Sequence, residues 1–268
     1  MSEPARELAG GKVRLDHPAE AVARLTIANP VKRNALDHAI LDALATTLPR
    51  LEARCVVITG SGGMFSAGYD IGDLRDETFA EEASQLVAHP FANAIQALDA
   101  YPFPTLAALN GHTIGGGLEL ALSCDLRLAA AGVRLGMPPA KLGLVYSHTG
   151  VRKFLDAVGA PRTRELFHVG RTVDAATAER WGLVNEVADP EALEARGVEL
   201  AAEIASNAPL ALAGNKRVIA ALLDAEGELD PAVEAELVGL RDACFASEDF
   251  REGVRAFAEK RAPRWRGR

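Results

Sequence analysis

The sequence predicts an α/β fold in which β-β-α units stack on one another and a helical region ends the chain. Three observations carry this reading. Two apolar runs, Cys55-Val56-Val57-Ile58-Thr59 and Thr105 to Leu109, each lead into a glycine-rich turn, as strands buried on both faces do. The second turn, Gly115-Gly116-Gly117, opens into an apolar helix from Leu118 to Ser123, so strand, turn and helix follow as one unit. Composition then shifts: strands and glycine turns come first, and from about Asp189 the pattern is helical. Residues 1–188 therefore read as a β-β-α core carrying the site, and 189–268 as a helical region suited to packing on the core or on another subunit.

Taken in order, residues 1–11 read as a loose leader. Val13–Leu15 and Val22–Ile27 are short strands around a turn at His17-Pro18. Asn29 to Asn34 is a loop by composition, and Asp37 caps a helix that lines up Ile40, Leu41, Leu44, Leu48 and Leu51. Gly60 to Ile71 is the first glycine-rich turn; the acidic stretch 72–90 reads as a segment over a site. Helical spacing resumes over Phe91–Leu98 and stops at Pro102 and Pro104. Asp125–Ala130 and Val133–Leu135 read as strands, Met137 to Leu144 as a loop, and the chain after Thr149 as mainly helical. Trp181–Val187 is expected to be one short strand at a helix exit, followed by helices at 190–206, 209–224, 231–246 and 248–260.

The chain has 268 residues, 49% of them hydrophobic and 25% charged, which is the composition of a globular protein. A net charge of −8 argues against nucleic acid as the main partner. Cys55, Cys124 and Cys244 are widely spaced, with no CxxC and no histidine cluster, which predicts free thiols and no metal site. The first residues lack the apolar core of a secretory signal, and no run is long and apolar enough to span a bilayer, so the cytoplasm is expected.

The chemistry concentrates in Asn110 to Ala121. Three consecutive glycines let backbone N–H groups approach a ligand closely, and a helix N-terminus adds positive partial charge there. Such a turn can hold a phosphate or polarise a carbonyl that becomes an oxyanion. Glu119 sets a carboxylate beside those donors, which favours a neutral carbonyl ligand, with Glu119 as base, acid or water-holder. The plainer alternative is that Glu119 complements the helix dipole. Ser66 has no histidine at a recognisable spacing, and His112 and His148 read as structural.

Four landmarks, NPVKRNAL (29–36), FSAGYDI (65–71), NGHTIGGGLELALSCD (110–125) and MPPAKLGL (137–144), occur in an order that resembles the crotonase (enoyl-CoA hydratase/isomerase) superfamily. WGLVNEV (181–187) and FAEKRAPRW (257–265) resemble later landmarks, so the likeness covers nearly the whole chain. It implies a crotonase-like spiral of β-β-α turns, assembled as a homotrimer or a dimer of trimers. It also implies an acyl-CoA substrate whose thioester enolate is stabilised by two backbone N–H groups. By motif position these fall on Tyr69 and Gly116. The same likeness assigns acyl-CoA contacts to Lys32, Ala67, Gly68, Asp70, Ile71, Gly115, Gly117, Pro139, Leu144 and Lys260. Arg261, Arg264, Arg266 and Arg268 form a basic cluster that meets CoA phosphates or is a frayed tail. No separate cofactor is implied, because coenzyme A enters as part of the substrate.

Two departures bear on the reaction. Hydratases of the superfamily use two glutamates around a water; Glu119 matches the first, and Pro139 stands in the loop where the second is expected. Proline neither donates nor accepts a proton, so two-carboxylate hydration lacks a partner. MPPAKLGLVYSHTG (137–150) is locally similar to methylmalonyl-CoA decarboxylases, whose loop tyrosine Tyr146 matches, although Tyr69 stands where they carry histidine. Decarboxylation needs no base, since loss of CO₂ itself leaves the enolate. The expectation is an acyl-CoA enzyme of hydratase/isomerase type with catalytic Glu119 and Tyr146; the alternatives are decarboxylation and a non-catalytic acyl-CoA-binding role.

Overall fold

The computed structural model describes residues 5–70, 90–225, 231–264 and 266. Ile71 and nearly all of the 72–90 segment lie outside the described residues. The described residues form two sheets. The larger runs β1 (Arg6–Leu8), β2 (Val13–Ala19), β3 (Val22–Ile27), β4 (Cys55–Gly60), β6 (Thr105–Leu109), β8 (Leu126–Ala130) and β11 (Glu186–Ala188) in that spatial order. The smaller runs β10 (Thr172–Asp174), β9 (Arg134–Gly136), β7 (His112–Ile114) and β5 (Met64–Ser66). From β3 to β11 the larger sheet is parallel.

The pairs β4/β5, β6/β7 and β8/β9 each place one strand in each sheet, and each pair lies one position further along both sheets. That stepwise advance is the stacked β-β-α spiral that the glycine turns predict. Successive turns touch backbone to backbone. A Cβ on Gly111 would lie 2.2 Å from the carbonyl oxygen of Gly63, so the second glycine turn sits directly on the first. Asn110 and Asn34 stitch the same turns through their side-chain amides, donating to Gly62 O (2.7 Å) and Met64 O (2.7 Å).

Helix α1 (His38–Thr47) is capped by Asp37, whose carboxylate accepts from Ile40 N, and it buries Ile40, Leu41 and Leu44 as expected. It packs on α2 (Ala92–Asp99). Helix α3 (Gly116–Leu122) is buried throughout, and α4 (His148–Arg164) is broken at Gly159. Helix α5 (Ala175–Trp181) precedes β11, and α6 (Leu193–Ser206) lies across the larger sheet, where Gly197 faces Ala108 and Leu128. The last helices are α7 (Pro209–Ala225), α8 (Pro231–Ala246) and α9 (Glu248–Ala258). One aliphatic core joins both sheets, α1, α3 and α6, while Phe245 and Phe250 form a second cluster with Leu144 and Val254.

Three expectations shift. Strand β2 runs through His17-Pro18, and the chain turns instead at Glu20-Ala21, with a register shift between Asp16 and Ala19 that accommodates the proline's missing N–H. Short strands β1, β5, β7 and β10 lie where a loose leader, loops, turns or helices are read, since three residues give no period to detect. Trp181 closes a helix, and the strand in that region starts at Glu186.

Candidate active site

The segment after β5 is held extended against Arg33–Leu36. Ala67 N donates to Arg33 O (3.1 Å), Leu36 N to Gly68 O (2.8 Å) and Asp70 N to Leu36 O (3.1 Å). Gly68 has φ +95°, and a Cβ there would lie 3.0 Å from Ile114 O and 3.1 Å from Gly116 N. A bare glycine backbone thus lets the two glycine turns meet, with Tyr69 following one and Gly116 opening α3 on the other. Gly115 N donates to Gly136 O (2.9 Å), and Gly115 O accepts from Leu118 N and Glu119 N, which fixes the turn. At Gly117 a Cβ would lie 2.7 Å from that of Ser66, so this glycine serves close packing of α3 on β5.

Glu119 is in the first turn of α3 and only 4% exposed. Its Oε2 accepts from the Tyr146 hydroxyl and from the Tyr69 hydroxyl (3.3 Å), and the two hydroxyls are 3.2 Å apart. The Tyr69 ring lies over Gly116, where a Cβ would come within 2.8 Å of it, and meets Phe91 edge-on at 4.8 Å. Tyr146 packs edge-on against Phe167 and precedes Ser147, the cap of α4, whose Oγ accepts from Gly150 N (3.1 Å). A Cβ on Gly150 would lie 2.6 Å from the Tyr146 ring and 2.7 Å from Glu119 Oε1, so only glycine lets α4 approach the pair.

Burial pushes the Glu119 carboxyl up to about 7; the Tyr146 hydrogen bond, the Lys153 charge and the Tyr69 hydrogen bond pull the other way, and Asp99 adds to the rise. Lys153 is itself paired with Asp99 at 3.1 Å. Burial and then the neighbouring Glu119 charge raise the Tyr146 phenol well above its usual value, so it remains an O–H donor. Glu119 is therefore not a solvated complement to a helix dipole. It is a buried carboxyl that exchanges its proton near neutrality, which suits general acid–base work.

The structure brings Tyr69, Gly116, Glu119 and Tyr146 together, with Gly68, Gly115 and Gly117 as the backbone that allows it. Asp70 is pinned by Lys32 at 2.8 Å, one residue beyond Tyr69. Pro139 is buried at the start of a 3-10 turn, Pro139–Leu142. Leu144 packs with Phe245 and Phe250, and Lys260 is exposed beyond α9; neither joins the Glu119 cluster. Arg261 pairs with Glu252 and Glu259, and Arg266 with Glu248, so part of the basic tail is tied to α9. His112 Nδ1 accepts from Arg134 N, and His148 lies 3.4 Å from Glu234, both away from Glu119's hydrogen bonds. Sequence reading gave Tyr69 a backbone role and missed Gly150; the Tyr69 hydroxyl and the Gly150 gap become visible only when three distant segments converge. Among the described residues no group of three metal-ligating side chains forms, and no helix is long and apolar enough to cross a membrane.

The family model for enoyl-CoA hydratase/isomerase matches residues 17–268. The chain belongs to this family. A putative enoyl-CoA hydratase/isomerase of Bacillus subtilis is 34% identical, over 92% of this chain and 95% of its own. A short-chain-enoyl-CoA hydratase of Clostridium acetobutylicum is 32% identical, over 90% and 92%. A crystal structure of methylmalonyl-CoA decarboxylase, in complex with 2S-carboxypropyl-CoA, superposes with a TM-score of 0.87 at 29% identity, covering 96% of this chain and 98% of that one. This member of the crotonase superfamily is thus an enzyme acting on an acyl-CoA, and the spiral that its glycine turns build is the family's fold.

Proposed function

We propose that this enoyl-CoA hydratase/isomerase-family enzyme works through a thioester enolate and that the enolate arises by decarboxylation of a 2-carboxyacyl-CoA. The observation that carries the reading is the Glu119–Tyr146–Tyr69 cluster beside a buried Pro139. Among the described residues Glu119 is the one carboxyl in this cluster, bonded on one oxygen by two phenols, and a proline stands where a second carboxylate is expected.

In this reading the thioester oxygen binds between the N–H groups of Tyr69 and Gly116. Such a donor contributes about 2.7–4 kcal/mol to barrier lowering. The bond from the α-carbon to the substrate carboxylate breaks, its electron pair forms the enolate, and CO₂ leaves. The α-carbon then takes a proton from the Glu119–Tyr146 pair, which is restored from water. The products are CO₂ and the shortened acyl-CoA, with one proton consumed. Lys32, Ala67, Asp70 and Lys260 are assigned to the CoA end, and coenzyme A enters only as part of the substrate. Hydration of an enoyl-CoA is the second reading, favoured by a Glu119 carboxyl poised near neutrality and by the hydratase names of the relatives.

Mass-spectrometric turnover of crotonyl-CoA, a 3-enoyl-CoA and methylmalonyl-CoA separates these. Loss of CO₂ from methylmalonyl-CoA is expected. Gain of water on crotonyl-CoA with methylmalonyl-CoA untouched would replace decarboxylation by single-glutamate hydration.

The assembly is assigned as a homotrimer or a dimer of trimers in the cytoplasm, with 189–268 as the region that meets neighbouring subunits. Support comes from α7, which exposes Leu210, Val218, Ile219 and Leu222, a set of large apolar side chains that a lone chain would leave in water.

A further inference from the structure

Glu119 has two carboxyl oxygens in different surroundings. Oε2 takes both phenolic hydroxyls. Oε1 accepts a hydrogen bond from no described residue and lies against Gly150, where a Cβ would come within 2.7 Å of it. Every fully buried side-chain nitrogen or oxygen among the described residues has a partner, so unpartnered Oε1 is not sealed in the protein. The Tyr69 side chain is braced for this contact: its ring rests on Gly116 and against Phe91, which aims the hydroxyl along α3 to the carboxyl one turn on.

We propose that Tyr69 is a positioning residue through its hydroxyl, which with Tyr146 anchors Glu119 Oε2 and reserves Oε1 as the oxygen that exchanges a proton with the substrate. One residue then serves the site twice, by its backbone N–H at the thioester oxygen and by its side chain on the acid. Proton exchange with substrate rests on the enolate mechanism proposed above; the anchoring of Oε2 does not. Two O–H donors on one oxygen stabilise the ionised carboxylate, and they offset burial enough to keep the group titratable in the neutral range. Among the described residues, the other groups acting on Glu119 are Lys153 on α4, which favours ionisation, and Asp99 at the end of α2, which opposes it.

The test is Tyr69→Phe, which keeps the ring on Gly116 and Phe91 and removes only the hydroxyl. The carboxyl band of Glu119 is followed by pH-difference infrared spectroscopy, assigned by its absence in Glu119→Gln, together with the pH profile of kcat/KM on the CoA ester that turns over. The titration midpoint is expected to rise by about one pH unit, a tenfold change in ionised fraction at fixed pH below the midpoint. The matching limb of the rate profile should move the same way, with KM little changed. A Tyr69→Phe midpoint equal to that of the unaltered protein overturns the proposal. A second measurement puts 3-fluorotyrosine at the two tyrosines left in the Tyr146→Phe background, Tyr69 and Tyr101. Tyr101 bonds Ala53 O instead, so a lowered midpoint there reports the stronger Tyr69 donor, and an unmoved one counts against it. If no ester in the panel reacts while the infrared midpoint still shifts, the decarboxylation reading fails and the anchoring stands.

Discussion

Replacing Glu119 by glutamine is expected to stabilise the protein above neutral pH and to leave it unchanged in acid. The carboxyl is 4% exposed, and burial lifts it from an ordinary 4.5 to about 7. At about 1.4 kcal/mol per pH unit this amounts to about 3 kcal/mol against the folded state once the group is ionised. The sign follows from proton counts. Between 4.5 and about 7 the folded state holds a proton that the unfolded chain has released, so stability falls as pH rises through that window. Below it both states are protonated, and glutamine, neutral and of the same shape, behaves like the protonated acid while its carbonyl still accepts from Tyr69 and Tyr146. Urea unfolding of both proteins from pH 4.5 to 8.5, at one protomer concentration, should show the two stabilities converging in acid and the variant ahead by about 3 kcal/mol in base. A difference independent of pH would mean that Glu119 does not titrate where its burial places it. The same variant should lose turnover at every pH if the carboxyl supplies the proton.

Gly150→Ala places a methyl 2.6 Å from the Tyr146 ring and 2.7 Å from Glu119 Oε1, and steady-state kinetics should show kcat down by at least about tenfold while circular dichroism keeps its helical signal. Gly117→Ala drives a methyl to 2.7 Å from Ser66 Cβ, and calorimetry should register about 1–3 kcal/mol of overpacking. Ser147→Ala removes the cap that accepts from Gly150 N, with an expected cost of about 1 kcal/mol in denaturant unfolding and a lower kcat from the displaced Tyr146. Leu222→Lys on the exposed face of α7 should shift light-scattering mass toward smaller species if that face joins subunits.

The sequence by itself determined the elements whose signal is local. Asp37 as a cap, the buried run of β4, the strand from Thr105 to Leu109 and the breaks at Pro209 and Pro231 are written in residue type and period, because capping, burial on both faces and the missing proline N–H act over a few residues. The ordered glycine motifs also determined the family and marked Glu119. Only tertiary structure decided what surrounds that carboxyl. Tyr69 and Glu119 are 50 residues apart and Tyr146 is another 27 on, and nothing local makes a tyrosine hydroxyl a partner of one carboxyl oxygen. The spiral does so by laying one glycine turn on the next, at separations where only bare backbone fits, and by bringing α4 in over Gly150. Burial of Glu119, and with it a proton held near neutrality, is a property of that convergence and of no single segment.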